Sequence, residues 1–264
     1  MQKQETLSYQ EQFKDAVVSL SPFVCGSTGI LQSQTSIKID TYTLACVPYQ
    51  LTMTRAILIG AFTKDEIVFF QRFKNGLAGL NLTVQRATAR EPEKIFCRCQ
   101  VSAIGAMRGR DGVGLIVCEF KPIPPALAEI LGLHLQNLER IKSDWETLKG
   151  RSVSVNPENS RKLGFNNYAV MTRGTEVLKL ALFSLSTDTL EFLLPLKSPD
   201  IPIGSAASFN LFFQKYRFAV AGKVESAIRL PTGVQRLRAS IEFSAELCDI
   251  LSGYFFSASV AARK

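Results

Sequence analysis

His134 and six cysteines are the side chains best suited to nucleophilic, general-base or metal chemistry in this 264-residue sequence, and their placement argues against all three. A Ser-His-Asp or Cys-His site would have to use His134, because no other histidine is present. It lies in ALAEILGLHLQNLERI, where apolar residues recur near the helical period, which predicts a helix-surface or half-buried histidine. Cys25, Cys46, Cys97, Cys99, Cys118 and Cys248 show no framework spacing and are read as free, reduced thiols. Cys97 and Cys99 share one face if FCRCQV is a strand, yet a zinc site needs about four ligands and the sequence offers no second cluster. Small core hydrophobes are the better reading. GRDGVG at 109–114 lacks the Lys-Ser/Thr ending and the strand-then-helix setting of a phosphate loop, and is expected to be a hairpin turn. These residues predict no enzyme, no metal and no resident cofactor.

Charge is the next chemical resource. Lys and Arg number 31 against 23 Asp and Glu, a net charge of +8 and a pI near 9.2. RFKNGLAGLNLTVQRATAR gathers Arg72, Lys74, Arg86 and Arg90, and small barrels bind single strands by stacking bases on aromatics between basic residues. Most of the 18 Phe residues, however, fall at alternating strand positions that suit a core. Nucleic-acid binding is therefore the second alternative. No apolar run reaches the ~18 residues of a membrane span, and the polar start MQKQETLSYQEQFKDAV is unlike a secretory signal. A cytosolic protein without membrane insertion is expected.

The elements that must position these residues come in two sets. Phe96–Phe120 aligns with Phe218–Phe243, matching Val101 to Val224 and Phe120 to Phe243 at the same separation. Upstream, FTKDEIVFF (62–70) aligns with LSTDTLEFL (185–193), pairing Thr63 with Ser186 and Asp65 with Asp188; GLNLTV (79–84) and GSAASFNLFF (204–213) follow, and LAEILG (127–132) faces ELCDIL (246–251). Each half has short apolar or alternating runs between turn signals such as KNG (74–76), GRDG (109–112), KSPD (197–200) and LPTG (230–233). Each closes with a helical segment, the first starting at Pro124-Pro125. Strands whose edges need hiding curl into small barrels. The expected fold class is mainly β: two consecutive six-stranded barrels, each closed by a C-terminal helix, with an N-terminal helix. The expected boundaries are 1–30 for a helical extension carrying Leu7, Phe13, Val17 and Val18 on one stripe, 31–141 for a divergent barrel with its capping helix, 142–165 for a linker, and 166–264 for the second barrel. Trp145, the single tryptophan, is expected to pack the linker or helix end against a barrel.

The second half resembles a PilZ domain through Gly222-Lys223-Val224, Ile241-Glu242-Phe243 and the helix at 246–256, and the first half repeats the scheme more loosely. The resemblance, spanning about residues 40–260, implies tandem PilZ-like barrels and binding of cyclic di-GMP. That family grips the ligand with Arg-x-x-x-Arg before the barrel and Asp/Asn-x-Ser-x-x-Gly on an early strand, the guanidinium forks taking phosphates and guanine edges. Here Lys162 and Asn166 stand where the paired arginines would be, beside Arg161, and Ser184, Ser186 and Thr189 occupy the strand motif, with Ser for the acid and Thr for the glycine. Ala61, Thr63 and Glu66 are the expected first-barrel equivalents. Losing one arginine removes a charge-assisted contact of about 1.5–3 kcal/mol, so Arg161, Lys162, Asn166, Arg173, Ser184, Ser186 and Thr189 form a weakened candidate site.

The resemblance thus implies a bacterial signalling effector in cyclic di-GMP control of motility, adhesion or envelope polysaccharide. It would act by changing the interdomain arrangement and the binding of an unidentified protein partner. The alternative is a PilZ-fold adaptor that does not bind the nucleotide.

Overall fold

The computed structural model describes residues 8–86, 89–195, 198–214, 216–231 and 233–261, and among these residues fifteen strands with alternating burial form two sheets, of eight and seven strands. Leu7 of the expected apolar stripe, and Lys197 and Thr232 of two expected turns, lie outside these residues. The chain divides into two units, Met1–Asn137 and Leu138–Lys264.

In the first unit, residues 8–12 are helical, and β1 (Val18–Ser19) leads into α1 (Pro22–Thr28). The expected N-terminal helix therefore stops short: Val17 and Val18 belong to an extended segment, with β1 bonded to β4 (Val47–Leu51). Next come β2 (Ser36–Ile39), β3 (Tyr42–Ala45), β4, β5 (Arg55–Ala61), α2 (Lys64–Gln71), β6 (Leu77–Val84), β7 (Glu93–Ala106), β8 (Val113–Phe120) and α3 (Pro125–Leu148). The sheet order is β1-β4-β5-β8-β7-β6-β2-β3. Only Cys46 separates β3, at one end of this order, from β4, second from the other end. Ile37, Leu58, Leu80, Leu82 and Ile116 point inward and are fully buried.

The second unit holds β9 (Val153–Ser154), α4 (Pro157–Leu163), β10 (Phe165–Arg173), β11 (Glu176–Leu185), β12 (Thr189–Leu194), β13 (Ala206–Phe213), β14 (Arg217–Arg229), β15 (Gln235–Ile241) and α5 (Ala245–Ala261). Its order is β10-β13-β14-β15-β12-β11-β9, and pairing of β10 with β11 closes six strands into a barrel. Phe192 and Phe209 stack at 5.2 Å in its core. The segment expected as a linker, 142–165, holds ordered structure instead: the last turns of α3, β9 and all of α4. Its polar residues are spent on capping, with Asn156 accepting from the Asn159 amide and Gly164 closing α4 in the left-handed conformation.

The halves repeat each other more fully than sequence showed. Both α1 and α4 have a polar N-cap followed by Pro and end at a left-handed glycine, Ser21 with Gly29 and Asn156 with Gly164. The strand bulges fall between Val101 and Ala103 and between Val224 and Ser226, at the residues the sequence alignment had paired. Upstream, the alignment is out of register. FTKDEIVFF supplies the N-cap and nearly all of α2, held by a capping box between Thr63 and Glu66, and not a strand like Thr189–Leu194. The true counterpart of the Ser186–Thr189 turn is Thr52–Arg55: Thr52 Oγ1 accepts from the Arg55 amide at 3.0 Å, as Ser186 Oγ does from Thr189 at 2.9 Å. The Phe120 amide donates to Thr54 O at 2.8 Å and that of Ile241 to Asp188 O at 2.9 Å, so Phe120 matches Ile241 and not Phe243. Ala61, Thr63 and Glu66 are thereby replaced as the first-barrel equivalents by Gln50, Thr52 and Arg55.

His134 is more buried than expected. Its Nδ1 meets Ser27 Oγ at 2.8 Å, and burial lowers its pKa. GRDG is a turn, with Gly109 and Gly112 both at positive φ between β7 and β8.

Candidate ligand-binding site

The turn Ser186–Thr189 joins β11 to β12, and Ser186 builds it. Its hydroxyl donates to Asp188 Oδ1 at 2.7 Å and accepts from the Thr189 amide, so a short side chain replaces the missing ladder partners. The end of α3 clamps this turn. Trp145 Nε1 donates to Thr187 O at 2.9 Å, the Gly150 amide donates to Asp188 Oδ1 at 3.3 Å, and the Trp145 ring meets Phe243 edge-on at 5.7 Å. The expectation that Trp145 packs a helix end against a barrel is met by these contacts.

Beside the turn, Ser184 Oγ donates to Glu191 Oε2 at 2.8 Å and Arg236 Nη2 donates to the same oxygen at 2.7 Å. Burial opposes ionisation of Glu191, but the hydrogen bonds from Arg236 and Ser184, with the charges of Arg236 and Arg238, outweigh it and hold the carboxyl below the usual range. Glu191, Arg236 and Gly150 were not singled out from sequence. Their signal was the alternation that sends Glu191 and Arg236 to the outer face, legible only once β12 and β15 are paired.

β9 pairs Ser154 with Ser184, and Asn159 of α4 donates to Ser154 O at 2.9 Å, so α4 is anchored next to the motif strand. Lys162 is exposed and donates to Glu158 at 2.6 Å, a pairing that raises the lysine pKa and lowers that of the glutamate. Arg161 is exposed and makes no ion pair among the described residues. A groove of about 710 Å³ opens at the end of α4, lined by Lys162, Leu163, Phe213, Ile250 and Tyr254. Asn166 is exposed where β10 bulges between Phe165 and Ala169.

Arg173 is not brought to this end of the barrel. It pairs with Glu176 at the β10–β11 hairpin, whereas Ser184 lies eight residues along β11, about 26 Å at the rise of an extended strand. The structure therefore gathers the candidate residues Ser184, Ser186 and Thr189 with Glu191 and Arg236, flanked by α4 with Arg161 and Lys162.

The family profile of the PilZN3 domain matches residues 4–137. The chain belongs to the PilZN3 family. Among solved structures, PlzA of Borreliella burgdorferi in complex with c-di-GMP is similar over 97% of this chain and 100% of its own, at 16% identity and a TM-score of 0.50. YcgR of Escherichia coli in complex with c-di-GMP is also found, at 16% identity over 97% of this chain and 96% of its own, with a TM-score of 0.32. No curated protein sequence matches the chain. The likeness to PlzA shows a shared fold.

Proposed function

We propose that the chain is a PilZ-like signalling effector that reads cyclic di-GMP at its second barrel and passes the bound state to α3. The observation that carries this reading is the clamp on the motif turn: Trp145 and Gly150 grip Thr187 and Asp188 beside Ser186. A ligand engaging Ser186, Thr189, Arg161 and Lys162 competes with or reinforces that clamp, and so biases where the helix end sits. The complex of PlzA with c-di-GMP supports the ligand class. Lys162 can be recruited at little cost, because its partner Glu158 is exposed and surface pairs contribute about 0–1 kcal/mol. Arg236 stands ready as a second guanidinium if it leaves Glu191. Output is an altered interdomain arrangement and partner binding, in control of motility, adhesion or envelope polysaccharide.

Calorimetry on the full chain tests the reading. Cyclic di-GMP is expected to bind in the micromolar range, and Arg161→Ala and Lys162→Ala each to weaken it about tenfold, the loss of one charge-assisted bond. Absence of heat at millimolar ligand sinks it. One feature favours the adaptor alternative: the Ser184 hydroxyl is already committed to Glu191. In that case a partner would be recovered from extracts equally well with and without nucleotide.

A further inference from the structure

We propose that the outer face of the first barrel, across β2, β6, β7 and the end of β8, binds single-stranded nucleic acid. Strand register sets Lys38, Gly79 and Arg98 in one row, and the Lys121 amide bonded to Arg98 O at 2.9 Å extends it to a fourth strand. Three cations are thus aligned over about 14 Å, three strand spacings. Lys94 joins them two residues before Phe96 on the same side of β7. Lys38, Lys94 and Arg98 are exposed and hold no ion pair among the described residues. Like charges facing one another across strands destabilise a sheet. An anionic ligand offsets that cost.

Phe96 supplies the second element. It is 62% exposed, although it sits in a strand with fully buried neighbours such as Cys97. Its ring rests on Gly79, where an added Cβ would come within 2.7 Å of it. One side of the ring is therefore supported by backbone and the rest faces water between Lys94 and Arg98, with Asn81 opposite. A fixed, exposed ring among cations suits a base stacked between phosphates, which a purely acidic peptide would leave unused. Of the carboxylates bordering this face, Glu93 is paired with Arg86 and Glu119 with Lys121, and Asp40 lies at the β2–β3 turn. These are not the cations that sequence grouped together: Arg72 stacks on Phe69 and Arg86 is held by Glu93.

The test is fluorescence anisotropy of a labelled 12-nucleotide oligothymidylate with the full chain between 50 and 200 mM salt. Three to four neutralised phosphates predict a log–log salt slope of about −2 to −3, and Lys38→Ala or Arg98→Ala should each reduce its magnitude by about 0.7. Phe96→Leu keeps Gly79 covered but has no π face, and should weaken binding fivefold or more, whereas Phe96→Tyr should retain it. Melting temperatures of the variants check that each remains folded. The proposal is overturned by absence of binding at 50 mM salt, by wild-type affinity in Phe96→Leu, by slopes unchanged in the cation variants, or by equal affinity for polyglutamate or duplex of the same length. This face lies on the first barrel, so its failure leaves the cyclic di-GMP reading untouched, and the reverse also holds.

Discussion

Ser186, Glu191 and His134 each show one side chain deciding a local outcome. Ser186→Ala leaves the Thr189 amide without its hydroxyl partner and is expected to lower stability by about 1–2 kcal/mol in urea unfolding. Thr52→Ala should cost a similar amount in the first barrel, since it builds the equivalent turn. For Glu191 the folded pKa lies below the unfolded one, so its stabilisation is present above about pH 4.5 and is lost as pH falls through the folded value. Glu191→Gln should flatten that acid limb. His134 is also depressed, but its favoured form is neutral: the unfolded chain takes up the proton first, so stability declines as pH drops below about 6.5. His134→Gln should remove that decline, measured by melting temperature between pH 7 and 5. Burial pushes the Cys46 and Cys97 thiols up to about 12, and the hydrogen bond with Cys99, aided by burial, raises that of Cys118. Native thiol titration should therefore label Cys25 first and reach the barrel cysteines only on unfolding.

At the scale of elements, the matched caps of α1 and α4 show why part of the repeat was illegible. Ser21-Pro22 and Asn156-Pro157 share no first residue, yet both supply an N-cap oxygen followed by Pro at the first helical position. The strand rhythm of the second barrel, the hairpin at 109–112 and the start of α3 at Pro125 were readable because alternation, glycine and proline act locally. β1 and β9, two residues each, are too short to show a period. The misregister at 62–70 arose because Thr63-x-x-Glu66, a helix signal, imitates the Ser/Thr-x-Asp of a turn. The same limit applies to the site: Ser184, Ser186 and Thr189 were visible as a spacing, whereas Arg236 and Trp145 arrive from distant elements. Gly164→Ala must adopt a positive φ to end α4, and is expected to destabilise the second barrel by about 1 kcal/mol. It should also weaken any ligand that uses Arg161 or Lys162, which a binding titration of the variant reads.

For the whole molecule, one structural unit has been used twice and specialised differently. The first barrel carries the extra helix α2 and the exposed cationic face, while in the second the motif turn is gripped by the end of α3. The single tryptophan sits in that grip, so its emission reports directly on the step linking ligand to helix. Titrating the full chain with cyclic di-GMP while following Trp145 fluorescence is the most direct measurement. A saturable change in emission, shifted to higher ligand concentration in Arg161→Ala, is the expected result. A calorimetric signal without any change at Trp145, or no response at millimolar nucleotide, would contradict the account.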